Sequence, residues 1–152
     1  MTIRVSRTDP GSADALALVA ELSAALTTIT GASGQASFDV SDVRVPRACF
    51  AVARDAAGRA VGCGALRPLD GDAGEVKRMY ARPGTRGVGA AVLAFLEREA
   101  ADLGYGRLWL STRRVNERAV AFYERHGYAR IAGYGRYAGS TASVCFEKRI
   151  AA

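Results

Sequence analysis

Glu75-Val-Lys-Arg-Met-Tyr-Ala-Arg-Pro-Gly-Thr-Arg-Gly-Val-Gly89 is the stretch on which the fold turns. Residues Glu75 to Ala81 read as a strand that ends at Arg82-Pro83-Gly84, because proline cannot extend a ladder and glycine opens a turn. The turn Gly84-Thr-Arg-Gly-Val-Gly89 runs directly into a helical pattern. Val92, Phe95, Leu96, Ala100 and Leu103 recur every three or four residues, and Gly104 supplies the stop. A strand, a glycine turn and a helix start, in that order, make an anion site. The first helical N–H groups lack partners, the helix dipole adds partial positive charge, and glycine lets a phosphate approach closely. Arg86 adds a guanidinium fork beside it. The plain alternative is a tight turn with no ligand. The Gly-Lys-Ser/Thr ending of a P-loop is missing, and Val92 stands where the dinucleotide fingerprint needs its third glycine.

On the N-terminal side, Ile3 and Val5 alternate with polar neighbours as in a short strand. Ser12 and Asp14 then precede Leu16, Leu18, Val19, Leu22 and Leu26, an apolar series at helical spacing behind a capping residue. Thr27 to Ser41, rich in Thr, Gly, Ser and Ala, reads as a loop with room for a short second helix. Ala48 to Arg54 and Arg59 to Leu66 are two apolar runs joined by Asp55-Ala-Ala-Gly58, a hairpin. On the C-terminal side, Leu108-Trp-Leu110 is a strand, and Asn116 begins a helix with Ala119, Val120, Phe122 and Tyr123 inward and Gly127 as its stop. A strand around Tyr128 to Ile131, a glycine-rich loop from Gly133 to Ser140 and a strand from Ala142 to Lys148 close the chain. There is no repeat and no linker. The 152 residues, 16.0 kDa, are expected to form one domain over 1–152. Its class is α+β, a mixed, mostly antiparallel twisted sheet with helices on both faces.

Composition removes several classes. Hydrophobic residues at 49% and charged residues at 24% exclude a disordered or fibrous chain. No apolar run approaches the roughly 18 residues of a membrane helix. Met1-Thr-Ile-Arg-Val5 does not open like a secretory signal. Cys49, Cys63 and Cys145 are odd in number and form no CxxC pair, which argues against a disulfide framework or a metal site and fits a reducing cytoplasm, and the lack of a long apolar run makes a membrane partner unexpected. The net charge is +6, and all but two of the 21 basic residues are arginines. That permits an anionic ligand. The basic residues are scattered rather than gathered in a stripe, so nucleic acid is not the expected partner.

Four residues outside the turn carry a choice between structure and chemistry. Asn116 is a favoured helix cap. Tyr123 suits a helical core position. His126, at a helix C-terminus, reads as structural. Glu75, at a strand start, is most simply an exposed acid. Their order is what is specific. Glu75-Val-Lys-Arg-Met-Tyr-Ala-Arg-Pro83, the glycine turn with its helix, and Asn116-Glu-Arg-Ala-Val-Ala-Phe-Tyr123-Glu-Arg-His-Gly127-Tyr128 together resemble the Gcn5-related N-acetyltransferase (GNAT) family. The last string is similar to the family's N-x-x-A-x-x-x-Y-x-x-x-G-[FY], and Val144-Cys-Phe-Glu-Lys148 resembles its final strand. Gly84 stands where the family's turn usually has Gln or Arg. A second alignment, Arg86-x-x-Gly89-x-Ala91, restores the Arg but shifts the helix.

The resemblance implies a GNAT-like fold, acetyl-CoA as co-substrate, no metal, and an N-acetyltransferase acting on a primary amine of a small molecule by direct attack. It implies that the strand Glu75–Ala81 splays from Arg107–Thr112. Backbone groups of Met79, Tyr80 and Ala81 would hold the pantetheine arm. The amides of Arg86, Gly87, Val88, Gly89 and Ala90 would hold the pyrophosphate. Asn116 would bond the cofactor arm, and Tyr123 would stand near the sulfur as a proton donor, a phenol being protonated at pH 7. The family often places a Glu where Glu75 stands, to accept the amine's proton. A side chain at Gly87 or Gly89 would obstruct the pyrophosphate. Arg113, Arg114 and Arg136 should lie near the cleft mouth, either as a clamp for an anionic amine or amino acid or as solvated surface arginines. Other readings are a peptide or protein amine acetyltransferase, an acyl-CoA-sensing module without turnover, and a nucleic-acid binder. Oligomeric state is open, a homodimer being common in families of this kind.

Overall fold

The computed structural model describes residues 2–35 and 38–150. Seven strands form one sheet: β1 Arg4–Arg7, β2 Cys49–Arg54, β3 Ala60–Pro68, β4 Ala73–Ala81, β5 Arg107–Arg113, β6 Ala129–Ile131 and β7 Ser143–Arg149. The helices are α1 Ala13–Thr30, α2 Val88–Asp102 and α3 Glu117–Arg125. The sheet order is β1-β2-β3-β4-β5-β7-β6, and only β4 and β5 run parallel. This is the expected mixed sheet, and the β2–β3 hairpin closes at Asp55 to Gly58 as its sequence predicts.

Strand alternation splits the core in two. Cys49, Ala51 and Ala53 face one side with α2 and α3, while Phe50 and Val52 face the other with Ala15 and Leu18 of α1. Both faces of the central strands are buried, so they read as near-continuous apolar runs rather than polar–apolar alternations.

Two expectations are corrected. The loop expected from Thr27 is helix as far as Thr30. The hydroxyls of Thr27, Thr28 and Thr30 bond the carbonyls one turn back, and left-handed Gly31 ends α1. The remainder of that segment holds a 3-10 turn at Val40–Val43, capped by Asp39, while Ala36 and Ser37 lie outside the described residues. The expectation of no long apolar run is also revised. The 18 residues of α1 have a mean hydropathy of 1.4 and pass the length and composition test for a membrane span. Here α1 lies on the sheet, with Ala15, Leu18 and Leu22 buried and Glu21 ion-paired to Arg82.

Candidate active site

The parallel pair β4–β5 is joined only from Ala73–Arg107 to Glu75–Trp109. Beyond that rung the strands part, as the family resemblance implies. Val76 to Ala81 on one side and Leu110 to Arg113 on the other have no pairing across the gap. A cleft of about 330 Å³ opens there, lined by residues that include Glu75, Lys77, Met79, Arg113, Asn116, Tyr123 and Tyr137.

The cleft is lined from both faces of the sheet. A bulge makes this possible. Cys63 pairs with Tyr80 and Ala65 with Lys77, so Arg78 and Met79 together oppose the single residue Gly64. Arg78 takes a left-handed φ of 55°. A Cβ on Gly64 would lie 2.8 Å from the Met79 sulfur and 2.8 Å from Val92 Cγ1, so a larger residue here would require those side chains to shift. Met79 joins the α2 side of the core, whereas Lys77, Arg78 and Tyr80 all reach the α1 side. The Arg78 guanidinium, 7% exposed, donates to the carbonyls of Val19 and Ser33 and to the Ser23 hydroxyl, which fastens the bulge to α1 and the segment after it. Burial lowers its pKa.

At the other end of β4 the glycine turn behaves as its sequence suggests. Gly87 has φ 72° and caps α2 with no side-chain acceptor, and the first helical bond is from Ala91 N–H to Gly87. The five consecutive N–H groups from Arg86 to Ala90 therefore have no backbone acceptor among the described residues. Helix α2 starting at Val88 suits the alignment that puts Gly87 and Gly89 at the family's two fixed positions. A side chain at Gly87 would meet nothing within 4 Å, whereas one at Gly89 would meet the Phe122 ring at 3.3 Å.

Glu75, expected to be an exposed acid, is 1% exposed. Its partners are distant in sequence: Arg67 Nε donates to Oε1 at 2.6 Å, and the Tyr134 hydroxyl donates to Oε2 at 2.6 Å. Arg67 continues to Asp42 at 3.2 Å. Tyr134 stacks on Trp109 and Tyr137, with ring centroids 5.0 and 5.5 Å apart. Tyr134 and Tyr137 are the residues that sequence reasoning underused. They lie in the glycine-rich segment, where no periodicity marks an inward side.

Tyr123 enters from the opposite face. Its ring, 8% exposed, packs on Phe122, Tyr128 and Phe146. Its hydroxyl has no hydrogen-bond partner among the described residues, and burial raises its pKa, so the phenol keeps its proton. Asn116 caps α3 through Oδ1, which accepts from Ala119 N–H at 3.3 Å, and it lines the cleft. Tyr80 bonds Glu21 on the α1 side and offers only its backbone to the gap. His126 is structural, its Nδ1 lying 2.8 Å from the Phe122 carbonyl. Arg113 and Arg136 line the cleft, but Arg114 does not: it donates to Thr141.

The parted parallel pair opens a cleft lined in part by a buried phenol, and a row of free amides begins the helix that follows β4. The Acetyltransferase (GNAT) family model matches residues 19–128. The IAA acetyltransferase of Azospirillum brasilense is 32% identical over 149 residues, covering 96% of this chain and 97% of that protein. A Klebsiella pneumoniae structure described as an acyl-CoA N-acyltransferase matches with a TM-score of 0.83 at 28% identity over 99% of each chain. A GNAT acetyltransferase from Elizabethkingia anophelis, solved with acetyl-CoA bound, has a TM-score of 0.71 at 13% identity, covering 97% of this chain and 98% of that one, a likeness of fold. The chain belongs to the GNAT acetyltransferase family, and it is an acyltransferase.

Proposed function

We propose that the protein transfers the acetyl group of acetyl-CoA to the primary amine of a small molecule by direct attack. The observation that carries this is the gap between β4 and β5, with Tyr123 on one face and Glu75 on the other. The free amides of Arg86 to Ala90 fit a pyrophosphate. The unpaired edge of β4 from Met79 to Ala81 offers backbone groups to a pantetheine arm, and the Asn116 NH₂ adds one donor. Acetyl-CoA bound there supplies an acyl group activated as a thioester.

The chain's own residues then manage two protons. Tyr123 presents the proton on its Oη to the departing thiolate. An attacking amine must be neutral and must shed a proton as the amide forms. Each Glu75 oxygen already accepts one hydrogen bond, yet a carboxylate has about four acceptor sites, so Glu75 retains capacity to take that proton directly or through water. The three cysteines are unpaired and buried, which suits a reducing cytoplasm and leaves no thiol for an acyl-enzyme. The test is thiol release from acetyl-CoA with a panel of amines, alongside calorimetry of acetyl-CoA binding. Binding with no thiol release from any amine would overturn the reading.

A further inference from the structure

The α1 side of the cleft carries charge that the acetyl donor does not account for. The bulge sends Lys77 and Arg78 to that side in succession, and Arg113 of β5 faces them across the gap. Lys77 is 9% exposed and its ammonium has one partner, the Tyr137 hydroxyl at 3.3 Å. The Arg113 Nε is sealed from solvent and has no hydrogen-bond partner among the described residues. Arg78 spends its terminal nitrogens on carbonyls and a hydroxyl. None of these three cations has a carboxylate partner among the described residues. Among the described residues the one carboxylate in the wall is Glu75, which already accepts from Arg67 and Tyr134. Lys77 and Arg78 are buried and Arg113 is half-buried. Gathering such cations without a counter-charge is costly, and an incoming anion offsets that cost.

The phosphates of the donor are the wrong anion for this place. Their free amides lie beyond Ala81, where α2 starts with Val88 in the α2-side core. Lys77 is four residues back along β4, roughly 13 Å at about 3.3 Å per residue, and it reaches the opposite face. The cations therefore belong to the acceptor's half of the cleft.

We propose that this half binds an amine that also carries a carboxylate, a free amino acid being the smallest member of the class, with Lys77 and Arg113 gripping the carboxylate. The proposal rests on the acetyltransferase function above. Arg113 offers a planar fork for two parallel bonds, Lys77 adds a point charge, and Ser111, two residues before Arg113 on the same face of β5, supplies a hydroxyl. The same field disfavours a lysine-rich peptide tail.

The test measures kcat/KM for free amino acids against their carboxamides and their decarboxylated amines, with acetyl-CoA as donor. The wild-type enzyme should prefer the acid by about 10- to 100-fold, the scale of one or two charge-assisted bonds. Arg113→Gln and Lys77→Gln should each bring the acid-to-amide ratio toward one, Arg113→Lys should restore part of it, and Arg114→Gln should leave it in place. Melting temperatures establish that each variant is folded. Equal rates for acid and amide, a preference for neutral or basic amines, or acetylation of no acid in the panel overturns the anion grip, while acetylation of other amines leaves the acetyltransferase reading standing. Failure to bind acetyl-CoA or to acetylate any amine removes that reading instead, so the two failures are distinguishable.

Discussion

Tyr123→Phe separates packing from chemistry at one atom. The ring contacts with Phe122, Tyr128 and Phe146 survive the change. The hydroxyl that is lost has no hydrogen-bond partner among the described residues, so no bond is broken in folding. Leaving a polar group buried without a partner costs about 1–3 kcal/mol. The hydroxyl borders the cleft, which reduces that figure, and Phe should be neutral or stabilising by about 1 kcal/mol at most. For a domain of this size that is a melting temperature unchanged or raised by about 2–4 °C. Loss of a proton donor lowers rate by about 10²–10⁴-fold. The fall should appear in kcat, with acetyl-CoA affinity from calorimetry within about threefold of wild type. Melting curves and thiol-release kinetics on one preparation measure both sides. Turnover within twofold of wild type would reduce Tyr123 to core packing, and a melting temperature lowered by more than about 4 °C would show that the hydroxyl has a structural partner.

Three further outcomes follow from other parts of the structure. Glu75→Gln should lower kcat and change the shape of the pH–rate profile, the deficit shrinking as rising pH supplies hydroxide to take the proton the amine sheds; profiles that superimpose after scaling would exclude Glu75 as the proton acceptor. Gly87→Ala puts a side chain on a left-handed residue with open space around it, so its cost is conformational, about 1–2 kcal/mol, read as a drop of about 2–8 °C in melting temperature with weakened acetyl-CoA binding, and an unchanged melt would refute the turn geometry. Burial pushes the Cys49 thiol from an ordinary value near 9 up to about 11 and Cys63 up to about 12. Because the folded values are the higher ones, this stability is fully present below pH 9 and is lost as pH rises toward 11–12, at up to about 1.4 kcal/mol per pH unit for each thiol. Urea midpoints at pH 8 and 10.5 should show the loss, and Cys63→Ala should make the decline shallower.

The reach of the sequence differs from element to element. The β4–turn–α2 unit and α3 were legible because their signals are local: glycines at a turn, a helical apolar period, a cap and a stop within a few residues. The end of α1 was not, because Thr27, Thr28 and Thr30 read as turn formers until their hydroxyls are seen bonded to the carbonyls a turn back. Burial of Glu75 depends on Tyr134, 59 residues away, and on a neighbouring strand that presents Arg67 at the matching rung. The bulge is a property of two strands. Nothing in Lys77-Arg78-Met79 announces it, and it exists only because β3 supplies one residue, Gly64, against two. For the same reason the cationic half of the cleft could be guessed from Arg113 and Arg136 but not from Lys77 or Arg78, whose common direction is set by that mismatch.

The gap between β4 and β5 has a kinetic consequence. Its walls come from both faces of the sheet, Met79, Asn116 and Tyr123 on one and Lys77, Arg113 and Tyr137 on the other. Two substrates that approach from opposite faces do not have to cross each other's path, and neither must leave before the other arrives. Initial-rate lines against one substrate, drawn at several fixed levels of the other, should then intersect rather than run parallel. CoA and the acetylated amine can likewise depart separately, so the slowest exit is set by whichever face holds its product more tightly.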